Sequence, residues 1–130
     1  MPPREGVVYG VGALQAAARG DRAMWALHRA ALTHGIVAVV PAIAVAQGFR
    51  SDAHGDRLAS LLSGTELEEL SAERARRLGE LAARVDTDDL AAVAVAETAD
   101  RRNGAVISGR QAALRNTAAL LGHELVQHVV

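Results

Sequence analysis

Residues 87–110 read TDDLAAVAVAETADRRNGAVISGR, and this stretch decides the fold. Thr87-Asp88-Asp89 offers short polar side chains that accept from the free amides of a helix start, with acids where the helix dipole favours them. The Ala- and Val-rich run that follows carries a helix to about Arg102. Asn103-Gly104 then tolerates the left-handed backbone that ends helices. Ala105 to Ser108 is a short apolar run suited to a buried strand. A helix that feeds directly into such a strand is the second half of a crossover, which implies a parallel sheet.

The same alternation extends in both directions. Upstream, Val7-Val8-Tyr9 is a strand ending at Gly10, followed by a helix over Gly12–Arg19 that Gly20 stops. Asp21 caps a second helix with Met24, Leu27, Ala31 and Leu32 on one face and Gly35 as terminator. Ile36–Val40 is apolar without alternation, as a strand covered on both faces should be. Pro41 suits the turn opening a helix at Ala42–Gln47, and Asp56–Leu62 is a further helix.

Glu66–Leu70 reads as an edge strand whose acids discourage edge-to-edge pairing. Ser71 caps a helix with Ala75, Leu78, Leu81 and Ala82 at helical spacing. Downstream of residue 110, Gln111–Leu121 is a helix and Leu125–Val130 a last strand. The expectation is one domain over residues 1–130, an α/β three-layer α/β/α sandwich with a mainly parallel central sheet. Ligands of such sheets sit beyond the carboxyl ends of the strands. That rim is formed by Gly10, Pro41 and Ser108 to Arg110, joined by the helix start at Thr87.

Composition narrows the chemistry. Half of the 130 residues are hydrophobic but only 2% are aromatic, so the core is built from Ala, Val and Leu. The net charge of −1 supplies no bulk attraction to nucleic acid or anionic membrane. All 14 cationic residues are arginines, which reads as genome composition rather than function. The absence of cysteine excludes disulfides and thiolate metal sites. The start MPPREGVVYG is too short and polar for a signal peptide, and no apolar run approaches the roughly 18 residues of a membrane span. A cytoplasmic, non-membrane protein is expected.

Several patterns resemble chemistry without completing it. Gly10-Val11-Gly12 after a strand invites a dinucleotide-binding reading, but position 15 is Gln and no acid follows the second strand. His123 and His128 are five apart, whereas two ligands on one helical face need a spacing of four. His28, His34 and His54 are expected on helical or loop surfaces and form no ligand set. Asp86, Asp88 and Asp89 are the one acidic cluster near the rim. They read mainly as helix caps, with Asp88 and Asp89 the remaining candidates for a metal. Arg74, Arg76, Arg77 and Arg84 form a basic helix stripe read as solvated surface. Arg50 and Arg57 flank the polar loop 51–55 and, with Arg110, are candidates for contact with RNA or a protein partner. Met24, Trp25 and Leu27 are assigned to core or subunit interface.

The whole chain from Val7 to Val130 resembles the PIN-domain family, particularly the VapC-like toxins. The resemblance is carried by VVYGVGALQAAARGDRAMWALHRAAL, by VVPAIAVAQGFRS, by RLASLL, and by ARRLGELAARVDTDDLAAVAVAETADRRNGAVISGRQAALRNTAALLG, in that order and spacing. It implies a Mg²⁺-dependent endoribonuclease, often dimeric and neutralised by a small antitoxin. The family's acidic positions fall here on Gly10, Gln47, Ala92 and Arg110, with a helix-start acid kept at Asp89.

A divalent-metal site needs several acidic oxygens converging on the cation. A guanidinium at position 110 would repel it. The expectation is therefore a PIN-like domain without catalytic residues or cofactor, acting through association. A homodimer through the Ala-rich N-terminal helices is expected, with a small antitoxin-like protein as a further partner. The rivals are a residual Mg²⁺ ribonuclease using Asp88 and Asp89, and an RNA-binding module in which Arg110 contacts phosphate. Aspartates placed at positions 10, 92 and 110 should rebuild a carboxylate cluster.

Overall fold

The computed structural model describes residues 6–50 and 55–130. In chain order the elements are β1 (Val7–Tyr9), α1 (Val11–Ala18), α2 (Arg22–Thr33), β2 (Ala38–Pro41), α3 (Ala42–Arg50), α4 (Asp56–Leu62) and β3 (Glu66–Glu68). They continue with α5 (Ala72–Val85), α6 (Leu90–Arg102), β4 (Ala105–Ser108), α7 (Ala112–Leu120) and β5 (Gln127–Val129). The strands form one sheet in the order β3-β2-β1-β4-β5, and every pairing is parallel. Helices cover both faces, giving the three-layer α/β/α sandwich. One layer is centred on α1, with α2 and α4 against it. The other is centred on α6, between α5 and α7.

The position of α6 explains its composition. It touches β1, β2 and β4 below it and α3, α5 and α7 around it, and Ala91 to Ala99 are buried without interruption. A helix enclosed on all sides cannot be amphipathic, and Ala side chains let its neighbours approach closely. Capping follows the sequence: Asp21 accepts from the amide of Met24, Ser71 from Arg74 and Asp89 from Ala92. Asn103 closes α6 in the left-handed conformation, and Asp86 does the same for α5. Asp86 is thus a C-cap of α5 and takes no part in starting α6.

Three expectations change. On α2 the buried positions are Met24 and His28, while Leu32 is half exposed. His28, expected at the surface, points inward because Tyr9 offers a hydroxyl 2.8 Å from its Nδ1. Met24 is fully buried and belongs to the core.

The third change concerns charge. β3 is the edge strand, but its acids do not all face solvent. Glu68 is buried and is gripped by Arg74, Arg101 and Arg102, while Thr98 donates to it at 2.9 Å. Arg74 therefore leaves the solvated stripe and turns inward, reaching Glu97 as well. Arg76 pairs with Glu80 along α5.

Burial pushes the Glu68 carboxyl up. Hydrogen bonds from Arg101, Thr98 and Arg74 outweigh burial and bring it down to about 2. The cluster pins the sheet edge to α5 and α6. Glu68→Ala would leave Arg74 and Arg101 sharing Glu97 and Arg102 with Glu66 alone, and should cost about 3 kcal/mol in urea unfolding at neutral pH. Because the folded value is depressed, the Glu68 contribution is full above its ordinary value of 4.5 and fades as pH falls toward about 2. The gap between wild type and variant should narrow accordingly in acid.

Candidate functional site

The strand order reverses between β1 and β4, which leave the sheet in company but send their following helices to opposite faces. Crevices form at such points beyond the carboxyl ends of the strands. A cleft of about 640 Å³ opens there, lined among others by Gly12, Gln15, Gln47, Asp88, Asp89 and Arg110. A second cavity, of about 350 Å³, lies at the amino ends of the strands. Its arginines, Arg101 and Arg102, are already committed to Glu66, Glu68 and Glu97, so the rim cleft is the candidate site.

The back wall of the cleft is set by contact between the two strand exits. The Gly10 amide donates to the Ile107 carbonyl at 2.9 Å. A Cβ built on Gly10 would lie 2.6 Å from Ser108 Cβ, and one on Gly12 would lie 2.8 Å from Gly109 Cα. Both glycines are therefore used up in letting the exits of β1 and β4 close on each other. This accounts for Gly10-Val11-Gly12 without a dinucleotide, since Gly12 presents its missing side chain to Gly109. It also changes the expectation for position 10: an aspartate there would collide with Ser108, so placing an acid at this point of the rim is sterically blocked.

The four positions singled out by the resemblance do not share one surface. Gln47 and Arg110 line the cleft. Gly10 is sealed behind Ser108, and Ala92 is buried. On the first turn of α6 the residues that line the cleft are Leu90 and Ala91. The Asp89 cap sets this phase, because it binds the Ala92 amide and turns that side chain into the core.

In place of carboxylates, the rim carries a line of hydrogen bonds. Ser108 Oγ donates to Gln111 Oε1 at 3.4 Å, and Gln111 Nε2 donates to Asp89 Oδ2 at 3.2 Å. Asp89 Oδ1 accepts from the Ala92 amide at 3.1 Å. Both Asp89 oxygens are thus engaged in holding α6 and α7 at the rim. Gln111 carries no signal in the sequence beyond its place after Arg110; only its reach across the cleft reveals its role. Among the described residues, no three His, Asp or Glu side chains group in a way that could hold a metal ion.

The arginine candidates separate. Arg110 is exposed on the cleft and also lines an adjoining cavity of about 350 Å³ with Arg115, Gln127 and Val129. Arg57 folds back to the Ala18 carbonyl at 3.4 Å, at the end of α1, where a cation meets the negative end of the helix dipole. Arg50 ends α3 in an exposed position. Most of the loop it opens, including His54, lies outside the described residues. His123 and His128 do not form a pair: His128 is exposed on β5, whereas the His123 side chain is buried with Nδ1 3.6 Å from Asp100.

Compared with known proteins, the chain matches no family model and no curated sequence.

If Asp89 is a cap and not a ligand, Asp89→Ala should cost about 1–2 kcal/mol of stability, and Asp88→Ala should cost much less. Thermal melts with and without millimolar Mg²⁺ should give the same difference between variant and parent.

Proposed function

We propose that the chain is a catalytically silent PIN-like domain, derived from Mg²⁺-dependent endoribonucleases of the VapC type and acting through protein association. The observation that carries this reading is the packing of Ser108 into the space beside Gly10. The first-strand acid of the resemblance would have to project from that point, and neighbouring Arg110 contributes positive charge to the cleft. The Asp89 oxygens, which a residual ribonuclease would need, are engaged by Ala92 and Gln111.

Association rests on exposed apolar residues. Leu32, Val37, Leu67 and Val126 are each about half exposed, and Trp25 and Leu27 are only partly buried. The occupant we favour is a second copy of the chain, with a small antitoxin-like protein as an additional partner. Among the described residues no helix is long and apolar enough to cross a membrane. Cytoplasmic residence is part of this proposal.

A second reading has its own observation. Arg110 and Arg115 border one cavity beside the cleft, and guanidinium groups are suited to contacting a phosphodiester backbone. RNA would then be bound without cleavage.

Calorimetric titration with Mn²⁺ tests the main reading. No stoichiometric binding in the millimolar range is expected, and single-stranded RNA should remain intact with Mg²⁺ present. A stoichiometric site abolished by Asp88→Asn with Asp89→Asn would contradict it. Light scattering at micromolar concentration should give twice the monomer mass.

A further inference from the structure

We propose that His28 is an acid-sensitive latch: protonation of its buried imidazole releases α2 from β1 and from the turn after α4. The latch is built from named contacts. His28 is 3% exposed and Tyr9 fully buried, and the Tyr9 oxygen lies 2.8 Å from His28 Nδ1. The indole of Trp25 stands edge-on to the imidazole, with ring centroids 5.9 Å apart. On its far side the imidazole approaches Gly64, where a built Cβ would come within 3.4 Å of both Nε2 and Leu32 Cδ2.

The groups facing His28 are few. β1 presents the Tyr9 hydroxyl, α2 itself presents Trp25, and the α4–β3 turn presents Gly64. Among the described residues no carboxylate forms an ion pair with it: Glu68 and Glu97 are held by arginines, and Asp100 faces His123. A cation at this position therefore has no counter-charge.

Burial pushes the Tyr9 hydroxyl up to about 12, so it keeps its proton. In the pairing where it donates that proton to His28 Nδ1, the neutral imidazole carries its own on Nε2. Adding a second proton turns Nδ1 into a donor. The Tyr9 oxygen can accept from it only by turning its own O–H away, which leaves a buried donor unpaired beside a buried charge. Opening of α2 relieves both penalties by returning the imidazolium to water.

Burial lowers the affinity of folded His28 for a proton below the ordinary value of 6.5. The unlatched chain therefore takes up the proton first. The latch is intact above 6.5 and weakens as pH falls through the interval down to the lowered folded value. Within that interval the opening equilibrium rises by up to about tenfold per pH unit.

The chain contains one tryptophan, and Trp25 touches the latch, so intrinsic fluorescence reads it directly. The emission of the full chain should shift toward that of solvated indole between about pH 7 and pH 4, a range that spans imidazole titration. The midpoint should lie below that of a free imidazole. His28→Gln keeps an acceptor for Tyr9 but has no proton to gain, and its emission should stay flat over that range. An unchanged transition in His28→Gln overturns the proposal. Should that variant not fold, proton NMR of the wild type decides the question. The His28 ring and the Trp25 indole should titrate together, and a His28 ring that protonates at or above 6.5 while Trp25 stays unchanged overturns the latch.

Discussion

The close approach of the chain as it leaves β1 and β4 is the constraint on which the rest of the site depends. Gly10 and Gly12 meet Ser108 and Gly109 with no room for a side chain on either glycine. Because these exits touch, the cleft at the point of strand reversal is displaced outward onto Gln47, Asp88, Asp89 and Arg110. Packing at that density does not yield cheaply, since an added methyl in a well-filled interior costs about 1–3 kcal/mol. The back wall of the cleft is thus part of the core. What remains at the rim is a hydrogen-bonded line from Ser108 through Gln111 to Asp89 that fastens α7 to α6.

The charges of this chain serve the fold more visibly than the cleft. The densest cluster, Glu66, Glu68 and Glu97 with Arg74, Arg101 and Arg102, lies at the β3 edge, where three acids are matched by three arginines. An edge strand of three residues has little hydrogen bonding of its own, and this cluster holds it to the α5/α6 layer. Asp21 and Asp89 cap helices, and Asp86 closes one. At the rim, Asp89 is itself one of these structural carboxylates, holding the Ala92 amide and Gln111.

The architecture was legible because its signals are local and periodic. The apolar strand runs, the Asp21, Ser71 and Asp89 caps, and the Asn103-Gly104 stop each fix a boundary through contacts within one turn. Boundaries shifted by up to three residues, as where α3 runs on to Arg50 and β3 ends at Glu68. Long-range polar partners were not legible. His28 turned inward because Tyr9, distant in sequence, supplies its hydrogen bond. Arg74 left the surface because Glu68 and Glu97 converge on it from two other elements. At the site, the position of the rim at the strand exits could be read from the chain, as could the place of Arg110 on it. The sealing of Gly10 by Ser108 could not, because it depends on how far apart β1 and β4 sit after their exits.

A double-mutant cycle between positions 10 and 108 tests this sealing most directly, with stability measured by denaturant unfolding. Gly10→Ala in the parent chain is expected to cost about 2–3 kcal/mol. In a Ser108→Gly background, where the opposing Cβ is gone, the same change should cost at least about 1 kcal/mol less. Additive effects, or a Gly10→Ala variant as stable as the parent, would mean that the space beside Gly10 is open and would contradict the account of the closed rim.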